Sequence, residues 1–361
     1  MDRMKVGVIG ATGMVGQNYI RLLEGHPWFE VSYVAASPRS AGKTFAEAVA
    51  GRWHMPGEIP EAAAKLIVGD ARDIDLAKRN CQFVFSAVEL SKDEIRTVEA
   101  EYAAKGLPVV SNNSAHRHTA DVPMLIPEIN ADHIAIIDTQ RKNRGWDKGL
   151  IAVKPNCSLQ SYLTPIHALR QAGYAVNRMV ITTLQALSGA GYPGPSAMDL
   201  IDNVVPYIGG EEEKSEQEPL KILGRIENGA FVEDDSIKIS AHCNRVPSLD
   251  GHLACVSVGF AGKKPSLQEI ERIWTAFRSV PQELGLPFAP RQPIVVRHEP
   301  DRPQPRKDRN AERGMAVVVG RLRECNVFDF RFAGLSHNTV RGAAGGGILN
   351  AELLKARGYI E

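Results

Sequence analysis

The sequence predicts an α/β protein with an N-terminal parallel sheet and a second, α+β domain. Over the first 155 residues, short β-branched runs alternate with helical patterns, which is typical of β-α-β units. A glycine-rich turn directly follows the first of these runs. Beyond residue 156 the strands become longer and alternate in polarity, which indicates a mixed or antiparallel sheet. We therefore expect a first domain over residues 1–155 and a second domain over residues 156–337.

Each predicted element has its own signal. The strands of the first domain are β-branched runs at residues 5–9, 29–35, 82–87, 108–111 and 150–153. Apolar residues at helical spacing predict helices over 15–24 and 92–105 between those strands. The strands of the second domain are predicted at residues 178–186, 236–244, 253–260 and 316–322. Residues 338–357 predict a helix with a face of small residues, and we expect the segment 338–361 to return to the first domain and complete it.

Composition excludes several classes of protein. The chain has 361 residues, of which 43% are hydrophobic and 24% charged. These values are ordinary for a globular protein and exclude a disordered or fibrous one. Lysine plus arginine number 43 against 42 aspartate plus glutamate, a net charge of +1. That balance gives no electrostatic reason to expect a nucleic acid or an anionic membrane as partner.

The cysteines and the N-terminus indicate a cytoplasmic protein. Five cysteines are present, without a CxxC pair or a metal-ligand spacing. An odd, scattered set of this kind is typical of free thiols in a reducing compartment, and we expect no metal site. The first residues lead directly into a strand, which leaves no space for a signal peptide. No apolar run approaches the roughly 20 residues that a membrane span needs.

A glycine motif after the first strand indicates a dinucleotide-binding site. Gly10, Gly13 and Gly16 lie between a predicted strand and a predicted helix. Glycines there permit a tight turn and a close approach of the backbone to a pyrophosphate, and the start of the helix presents free N–H groups to that anion. An isolated glycine motif is a weak signal, but this one has the correct context on both sides. The first domain is therefore predicted to be of the Rossmann type.

The end of the second strand favours NADP(H) over NAD(H). An NAD site usually has Asp or Glu there to bind the ribose 2′-hydroxyl. Residues 35–43 instead contain Ser37, Arg39 and Ser40, and no carboxylate. Hydroxyls and a cation suit a 2′-phosphate. A basic turn that is only exposed to solvent, with no ligand, would show the same residues.

Cys157 is the candidate nucleophile. It stands where a strand gives way to a helical pattern, and a thiolate at the start of a helix is favoured by the helix dipole. A thiolate beside a nicotinamide suggests attack on an acyl carbon or aldehyde, coupled to hydride transfer. Taken alone, a cysteine is more often a buried, inert thiol.

Several motifs together make the chain resemble the aspartate-semialdehyde dehydrogenases, in particular the archaeal and fungal-like branch. The motifs are residues 155–158 (Pro-Asn-Cys-Ser), 188–194 (Ser-Gly-Ala-Gly-Tyr-Pro-Gly), 209–214 (Gly-Gly-Glu-Glu-Glu-Lys), 242–252 (from His-Cys-Asn-Arg to Asp-Gly-His) and 338–342 (Asn-Thr-Val-Arg-Gly). They extend over essentially the whole chain. Their combination is much more specific than any one of them.

The resemblance implies a role for each matching residue. Cys157 would be the nucleophile, His252 the general acid/base and Gln185 an orienting group. The substrate-binding residues would be Asn156 beside the nucleophile, Arg245 for the α-carboxylate, Glu211 for the amino group, and Arg117 and Lys214 for the phosphate. The cofactor contacts would be Gly10, Thr12, Gly13, Met14, Val15, Ser37, Arg39, Ser40, Ser188, Gly189 and Asn338. Two cationic anchors suit a substrate with two anionic ends, because guanidinium binds carboxylate and phosphate in a fixed geometry.

The activity implied by the resemblance is the NADPH-dependent reductive dephosphorylation of 4-phospho-L-aspartate to L-aspartate 4-semialdehyde. It would serve lysine, threonine, methionine and diaminopimelate synthesis, in a homodimer or a dimer of dimers. Two alternatives remain open. The same thiol and scaffold could serve a malonyl-CoA or succinyl-CoA reductase, or the chain could be a catalytically silent NADP(H)-binding sensor. Lys214 and Arg117 favour a small phosphorylated substrate, and the complete set of Cys157, His252 and Arg245 argues against a silent protein.

Overall fold

The first sheet of the computed structural model, which describes residues 3–361, is parallel and has six strands. These are β1 (Met4–Ile9), β2 (Phe29–Ala36), β3 (Val68–Asp70), β4 (Phe83–Ser86), β5 (Val109–Ser111) and β6 (Ile151–Val153). Their spatial order, β3-β2-β1-β4-β5-β6, is the order of the Rossmann fold. The predicted parallel sheet is thus confirmed. The prediction missed β3, because its sequence, Val-Gly-Asp, contains only one β-branched residue.

Helices cover the faces of this sheet. They are α1 (Met14–Leu22), α2 (Phe45–Ala48), α3 (Glu61–Ala64), α4 (Ile74–Asn80), α5 (Lys92–Ala104), α6 (Pro127–Asn130) and α7 (Ile136–Arg144). Helix α5 begins with a capping box, in which Ser91 and Glu94 satisfy each other's backbone N–H groups. Helix α1 differs, because its N-cap is Gly13 and no side chain caps it. Its first N–H groups therefore remain available at the carboxyl edge of the sheet.

The second sheet is mixed, as the sequence predicts. The later strands are β7 (Val176–Gln185), β8 (Arg225–Glu227), β9 (Ala230–Val232), β10 (Lys238–Arg245), β11 (His252–Phe260), β12 (Ile294–Arg297), β13 (Val317–Glu324) and β14 (Phe330–Ser336). Six of them form the sheet, in the order β10-β7-β11-β14-β13-β12, and β8 and β9 form a separate hairpin. Strand β7 pairs parallel to β10 and antiparallel to β11. The four predicted strands correspond to β7, β10, β11 and β13.

The remaining helices connect and cover the two sheets. They are α8 (Leu163–Gln171), α9 (Ala197–Leu200), α10 (Glu211–Ile222), α11 (Leu267–Ala276), α12 (Val280–Glu283), α13 (Pro305–Asp308) and α14 (Gly345–Ala356). Helix α14 returns to the first sheet, where Ile348 and Leu349 join the same core as Val6 and Val8. A Cβ at Gly347 would lie 1.9 Å from the Tyr19 hydroxyl, so only glycine allows α14 to lie this close to α1.

The C-terminal segment corrects one prediction. A single helix from residue 338 is wrong, because Val340–Ala344 forms a π-helical turn with a non-helical backbone at Ala343. The regular helix begins only at Gly345. The π turn lies against the cysteine loop, since a Cβ at Gly342 would lie 2.8 Å from the Cβ of Cys157.

Three further observations concern the described residues as a whole. All five cysteines are free, as predicted. Within residues 3–361, no helix combines the length and the apolar character that a membrane crossing requires. The same residues contain no cluster of three or more His, Cys, Asp or Glu side chains able to hold a metal ion.

Candidate active site

A first cavity, of about 490 Å³, lies at the carboxyl edge of the first sheet. Gly10 follows β1, Ser37 follows β2 and Ala87 follows β4, and all three residues line it. Strands β1 and β4 are neighbours in space but not in sequence, so the cavity lies at the point where the strand order reverses. Open parallel sheets bind nucleotides at this position.

The glycines of the motif are required by close backbone contacts. Gly10 has φ +80°, and a Cβ there would lie 2.2 Å from the carbonyl oxygen of Ala87. A Cβ at Gly16 would lie 2.2 Å from the carbonyl oxygen of Gly10. Gly13, the uncapped N-cap of α1, lines the cavity directly. The turn thus leaves room for an anion beside free N–H groups, as a pyrophosphate needs.

The predicted cofactor residues divide among three places, and four of them, Val15, Ser188, Gly189 and Asn338, lie at a second cavity described below. Gly10, Thr12, Gly13, Met14 and Ser37 line the first cavity. Arg39 and Ser40 are not among its lining residues: Arg39 is exposed on the adjoining turn, and Ser40 is buried there with its N–H bonded to the Ser37 carbonyl. Their role at a 2′-phosphate stays a prediction.

Sequence reasoning missed part of the wall of this cavity. Arg52 and Arg72 add cations, and Asp70 adds a carboxylate at the end of β3. His54 lies stacked against Tyr192, with ring centroids 3.7 Å apart. Tyr192 comes from the segment after β7, so a part of the chain outside the first sheet contributes to the cavity.

A second cavity, of about 510 Å³, lies beside the first. Met14 lines the first cavity and Val15 lines the second, so the two meet at the start of α1. The predicted residues that line the second cavity are Val15, Arg117, Asn156, Cys157, Gln185, Ser188, Gly189, Glu211, Lys214, Arg245 and Asn338. The structure therefore brings together residues that are up to 323 positions apart, since Val15 and Asn338 line the same cavity.

Cys157 and His252 are in contact at this cavity. The Sγ atom of Cys157 lies 3.3 Å from Nε2 of His252, which is completely buried behind it. The other ring nitrogen, Nδ1, accepts a hydrogen bond of 3.0 Å from the backbone N–H of Ala186. Burial, together with the positive charge of Arg245, lowers the pKa of His252 to about 3. The imidazole is therefore neutral at physiological pH.

The surroundings of Cys157 correct the prediction of a dipole-stabilised thiolate. Cys157 precedes only a short 3₁₀ turn, Ser158–Ser161, instead of a full helix. Desolvation, and then the negative charge of Glu211, raise the pKa of the thiol, whereas Lys154, Arg117 and Arg245 lower it. The net direction is upward in the protein without ligand, so the prediction of a lowered pKa is wrong. Any thiolate here depends on cations and hydrogen-bond donors rather than on a helix dipole.

Glu211, the first residue of α10, connects three other predicted residues. Its carboxylate accepts hydrogen bonds from the Asn156 side chain at 2.8 and 3.0 Å and from the Gln185 side chain at 3.2 Å. Nζ of Lys214, one turn along the helix, lies 2.9 Å from Oε1 of Glu211. These contacts fix one wall of the cavity, with carboxylate and ammonium held side by side.

Glu218 is a residue of the site that sequence reasoning missed. One of its carboxylate oxygens lies 2.8 Å from Nη1 of Arg117, and the other accepts a 2.6 Å hydrogen bond from the Asn156 backbone N–H. Glu218 is fully buried. It therefore connects a predicted phosphate anchor to the residue before the nucleophile. Its position seven residues after Glu211, on the same face of α10, is the signal that could have found it.

Lys221 extends this face of α10 by one more turn. Its ammonium group donates to the carbonyl oxygens of Arg117, Thr119 and Val122, at 2.8 to 3.0 Å. The loop that carries Arg117 is thus held by two charged side chains of α10, Glu218 and Lys221.

The remaining predicted residues form another part of the cavity wall. Arg245 donates from Nη1 to the Ala186 carbonyl oxygen at 2.6 Å. The Asn338 side chain donates to Ser188 Oγ at 2.8 Å and accepts from the Gly251 N–H at 2.8 Å, directly before His252. A Cβ at Gly189 would lie 3.0 Å from both Arg245 and His252, so this glycine gives both side chains their space.

Comparisons with known proteins agree with this architecture. Residues 5–137 match the family described as semialdehyde dehydrogenase, NAD binding domain, and residues 166–341 match semialdehyde dehydrogenase, dimerisation domain. The chain is 46% identical over 354 residues to an aspartate-semialdehyde dehydrogenase of Archaeoglobus fulgidus, with 98% of both chains covered. It is 44% identical over 364 residues to one of Cryptococcus neoformans, with 99% of both covered. A crystal structure of the Candida albicans aspartate semialdehyde dehydrogenase with NADP, 40% identical, superposes with a TM-score of 0.90 over 99% of this chain and 100% of that one.

Proposed function

The chain belongs to the semialdehyde dehydrogenase family, and from this we propose that it is an NADPH-dependent aspartate-semialdehyde dehydrogenase. It would reduce 4-phospho-L-aspartate to L-aspartate 4-semialdehyde with release of phosphate. The observation that carries the proposal is the Cys157–His252 contact at a cavity lined by Arg117, Lys214 and Arg245. A nucleophile between separate cations suits a reactive carbonyl with an anionic group on either side.

The first cavity fits the dinucleotide. The close contacts at Gly10 and Gly16 make room for a pyrophosphate at the uncapped start of α1. Ser37, Arg39 and Ser40 are the proposed contacts of the 2′-phosphate. When bound, NADPH supplies the hydride that reduces the acyl group. Val15, Ser188, Gly189 and Asn338 line the adjoining cavity and are the proposed contacts at its reactive end.

Cys157 carries the covalent chemistry. Its thiolate would attack the acyl carbon, the bond from that carbon to the phosphate oxygen would break, and phosphate would leave with one proton taken up from solvent. The product is a thioester on Cys157. Reduction of this thioester gives a thiohemiacetal oxyanion, and cleavage of its carbon–sulfur bond releases the aldehyde and restores the thiolate. His252, whose Nε2 lies 3.3 Å from the sulfur, is the proposed general acid/base.

The charged residues hold the two ends of the substrate. We assign the α-carboxylate to Arg245, whose guanidinium has no carboxylate partner among the described residues. Lys214 and Arg117 are assigned to the phosphate, and each is already paired with a glutamate that keeps it in position. Glu211 would accept hydrogen bonds from the substrate amino group. The side chains of Asn156 and Gln185 donate to the Glu211 carboxylate and hold it in place.

The domain division and assembly are further parts of the proposal. We assign residues 1–155 with 338–361 to cofactor binding and 156–337 to catalysis and dimerisation. One face of the second sheet supports a homodimer or a dimer of dimers, because Val180, Leu184 and Leu253 are only half-buried on central strands. The free cysteines favour a reducing, cytoplasmic setting.

The test is a nicotinamide absorbance assay with aspartate semialdehyde and phosphate, run with NADP and with NAD. We expect phosphate-dependent reduction of NADP, and a lower rate with NAD. The same assay with malonyl and succinyl semialdehydes plus coenzyme A measures the acyl-CoA reductase activity. A faster reaction with coenzyme A than with phosphate, or no turnover of any substrate, would contradict the proposal.

A further inference from the structure

The segment 52–54 forms part of the wall of the first cavity, and the proposed function gives it no role. The side chains of Arg52 and His54 line the cavity, whereas that of Trp53, between them, does not. Trp53 instead packs edge-on against the buried ring of Phe45, with ring centroids 6.3 Å apart. Successive side chains thus face opposite sides, as in an extended segment, and the tryptophan anchors the other two against the protein.

Gln17 of α1 fixes this segment to the glycine turn. Its side-chain amide donates to the carbonyl oxygens of Thr12 and Arg52, at 2.9 and 2.8 Å. Its amide oxygen accepts from the His54 N–H at 2.9 Å. Gln17 is 1% exposed, so a buried amide makes three hydrogen bonds, all of them to backbone. Because buried polar groups are costly to leave unpaired, these bonds favour one position of residue 52 relative to the turn.

Arg52 is the arginine of this wall that has no carboxylate within 4 Å among the described residues. The other lining arginine, Arg72, is paired with Glu94 at 3.3 Å. Arg52 donates from Nη2 to the Ala48 carbonyl oxygen, while its Nε and Nη1 donate to no atom of residues 3–361. The side chain is exposed at the cavity, so Nε and Nη1 remain available to an anion.

The position of Arg52 along the cavity indicates which part of a dinucleotide it meets. Ser37, directly after β2, marks the adenosine end. Tyr192 marks the other end, because the segment that carries it also supplies Ser188 to the second cavity. Arg52 is connected through one amide to Thr12, in the glycine turn between these two ends. That turn is the proposed site of the pyrophosphate.

We propose that Arg52 is a further dinucleotide contact, which binds the cofactor pyrophosphate, and that Gln17 is the positioning residue that holds it there. The inference rests on the proposed function for the presence of a dinucleotide. Guanidinium binds phosphate oxygens through charge-assisted and often bidentate hydrogen bonds. Arg52 thus adds positive charge to an anion site that the free N–H groups of α1 already form. Since NADP(H) and NAD(H) both contain the pyrophosphate, this contact increases the affinity for both.

The first experiment measures the dissociation constants of NADPH and NADH from their fluorescence, without substrate. Arg52→Ala should weaken both by a similar factor, about tenfold, because the same charge-assisted contact is lost in each complex. Arg52→Lys, which keeps the charge, should stay within about threefold of the natural protein. The control is Arg79→Ala, which removes an exposed arginine of α4 that lines neither cavity and should leave both constants unchanged.

Two outcomes for Arg52→Ala would overturn the assignment. Unchanged affinities would mean that the guanidinium is only a solvated surface charge. A loss confined to NADPH would mean that it binds the 2′-phosphate instead. If the natural protein binds neither dinucleotide, the proposed function fails together with this inference. If the natural protein binds them and Arg52→Ala has no effect, only this inference fails.

The second experiment tests whether Gln17 acts through Arg52. Gln17→Leu removes the three hydrogen bonds at similar volume and should by itself weaken NADPH binding about fivefold. In protein that already carries Arg52→Ala it should add less than about twofold, because the side chain that it positions is gone. Fluorescence titration of the four proteins gives this double-mutant cycle, and thermal unfolding shows whether each variant is folded. Losses that multiply independently would contradict the positioning role.

Discussion

The two cavities differ in what forms them. The first is built around the glycine turn after β1, and its shape there depends on Gly10 and Gly16, while Arg52, Arg72 and Tyr192 complete its wall. The second is made of charged and amide side chains from separate segments, held by ion pairs such as Arg117–Glu218. A substitution at the glycine turn of the first cavity should therefore act through shape, and one in the second cavity through charge and alignment.

The largest effect should come from the second cavity and leave the first intact. Cys157→Ser replaces the thiolate by a hydroxyl that is not ionised near neutral pH, so kcat should fall about a thousandfold or more. NADPH binding, followed by the change in its fluorescence, should stay within about twofold of the natural protein. A large loss of NADPH affinity in this variant would mean that the cavities are not independent.

The converse change should affect the first cavity by shape alone. The added methyl group in Gly16→Ala meets the Gly10 carbonyl oxygen at 2.2 Å, so the turn must shift. We expect a loss of NADPH affinity of about tenfold or more and a loss of stability of about 1–3 kcal/mol. Fluorescence titration and thermal unfolding measure the two effects. Gly209→Ala is the matched control, because its nearest atom outside the neighbouring residues is 3.8 Å away. Equal affinities of the two variants would contradict a shape-dependent turn.

An intermediate effect is expected at the ion pair of the second cavity. Glu218→Gln keeps the shape but turns one accepting oxygen into an N–H donor, which must face either Arg117 or the Asn156 N–H. The misaligned loop should lower kcat about tenfold and raise KM for phosphate more than KM for NADP. Steady-state kinetics distinguish these constants. Glu213→Gln, on the exposed face of α10, is the control and should be near the natural values.

The smallest effect should concern the 2′-phosphate. Arg39→Ala should raise KM for NADPH several-fold and leave KM for NADH nearly unchanged, because only NADPH carries the extra phosphate. Arg72 lines the cavity but is already paired with Glu94 at 3.3 Å. Arg72→Ala should therefore have the weaker effect. The opposite ranking would indicate that the 2′-phosphate binds at the end of β3 rather than at the turn after β2.

The same contrast explains how far the sequence predicts each cavity. Gly10, Gly13 and Gly16 are close together in the chain and lie between a clear strand and a clear helix, so local pattern alone locates the first cavity. Arg52, Arg72 and Tyr192 were not predicted, because each comes from a turn without periodicity. Their proximity to the glycines depends on tertiary structure.

The second cavity was predicted through the combined motifs rather than through local pattern. Glu218 and Lys221 lie in a polar stretch that suggests a solvated helix, although their spacing from Glu211 and Lys214 places all four on one face. The sequence does not reveal that this face is buried, because charged residues have the same sequence pattern whether their ion pairs are buried or exposed. The pKa of Cys157 was misjudged for a related reason, because a strand followed by a helical pattern does not reveal that a short 3₁₀ turn comes between them.

The return of α14 has a consequence for the order in which the protein can mature. The apolar side chains of β1 and β4 on one side, among them Val6 and Phe83, belong to a core that includes Ile348 and Leu353. During synthesis that surface lacks part of its covering until almost the entire polypeptide has left the ribosome. A chain truncated before residue 338 would lack α14, so the apolar residues of β1 and β4 that α14 covers would be exposed to solvent. Exposed apolar surface of this kind favours aggregation over independent folding.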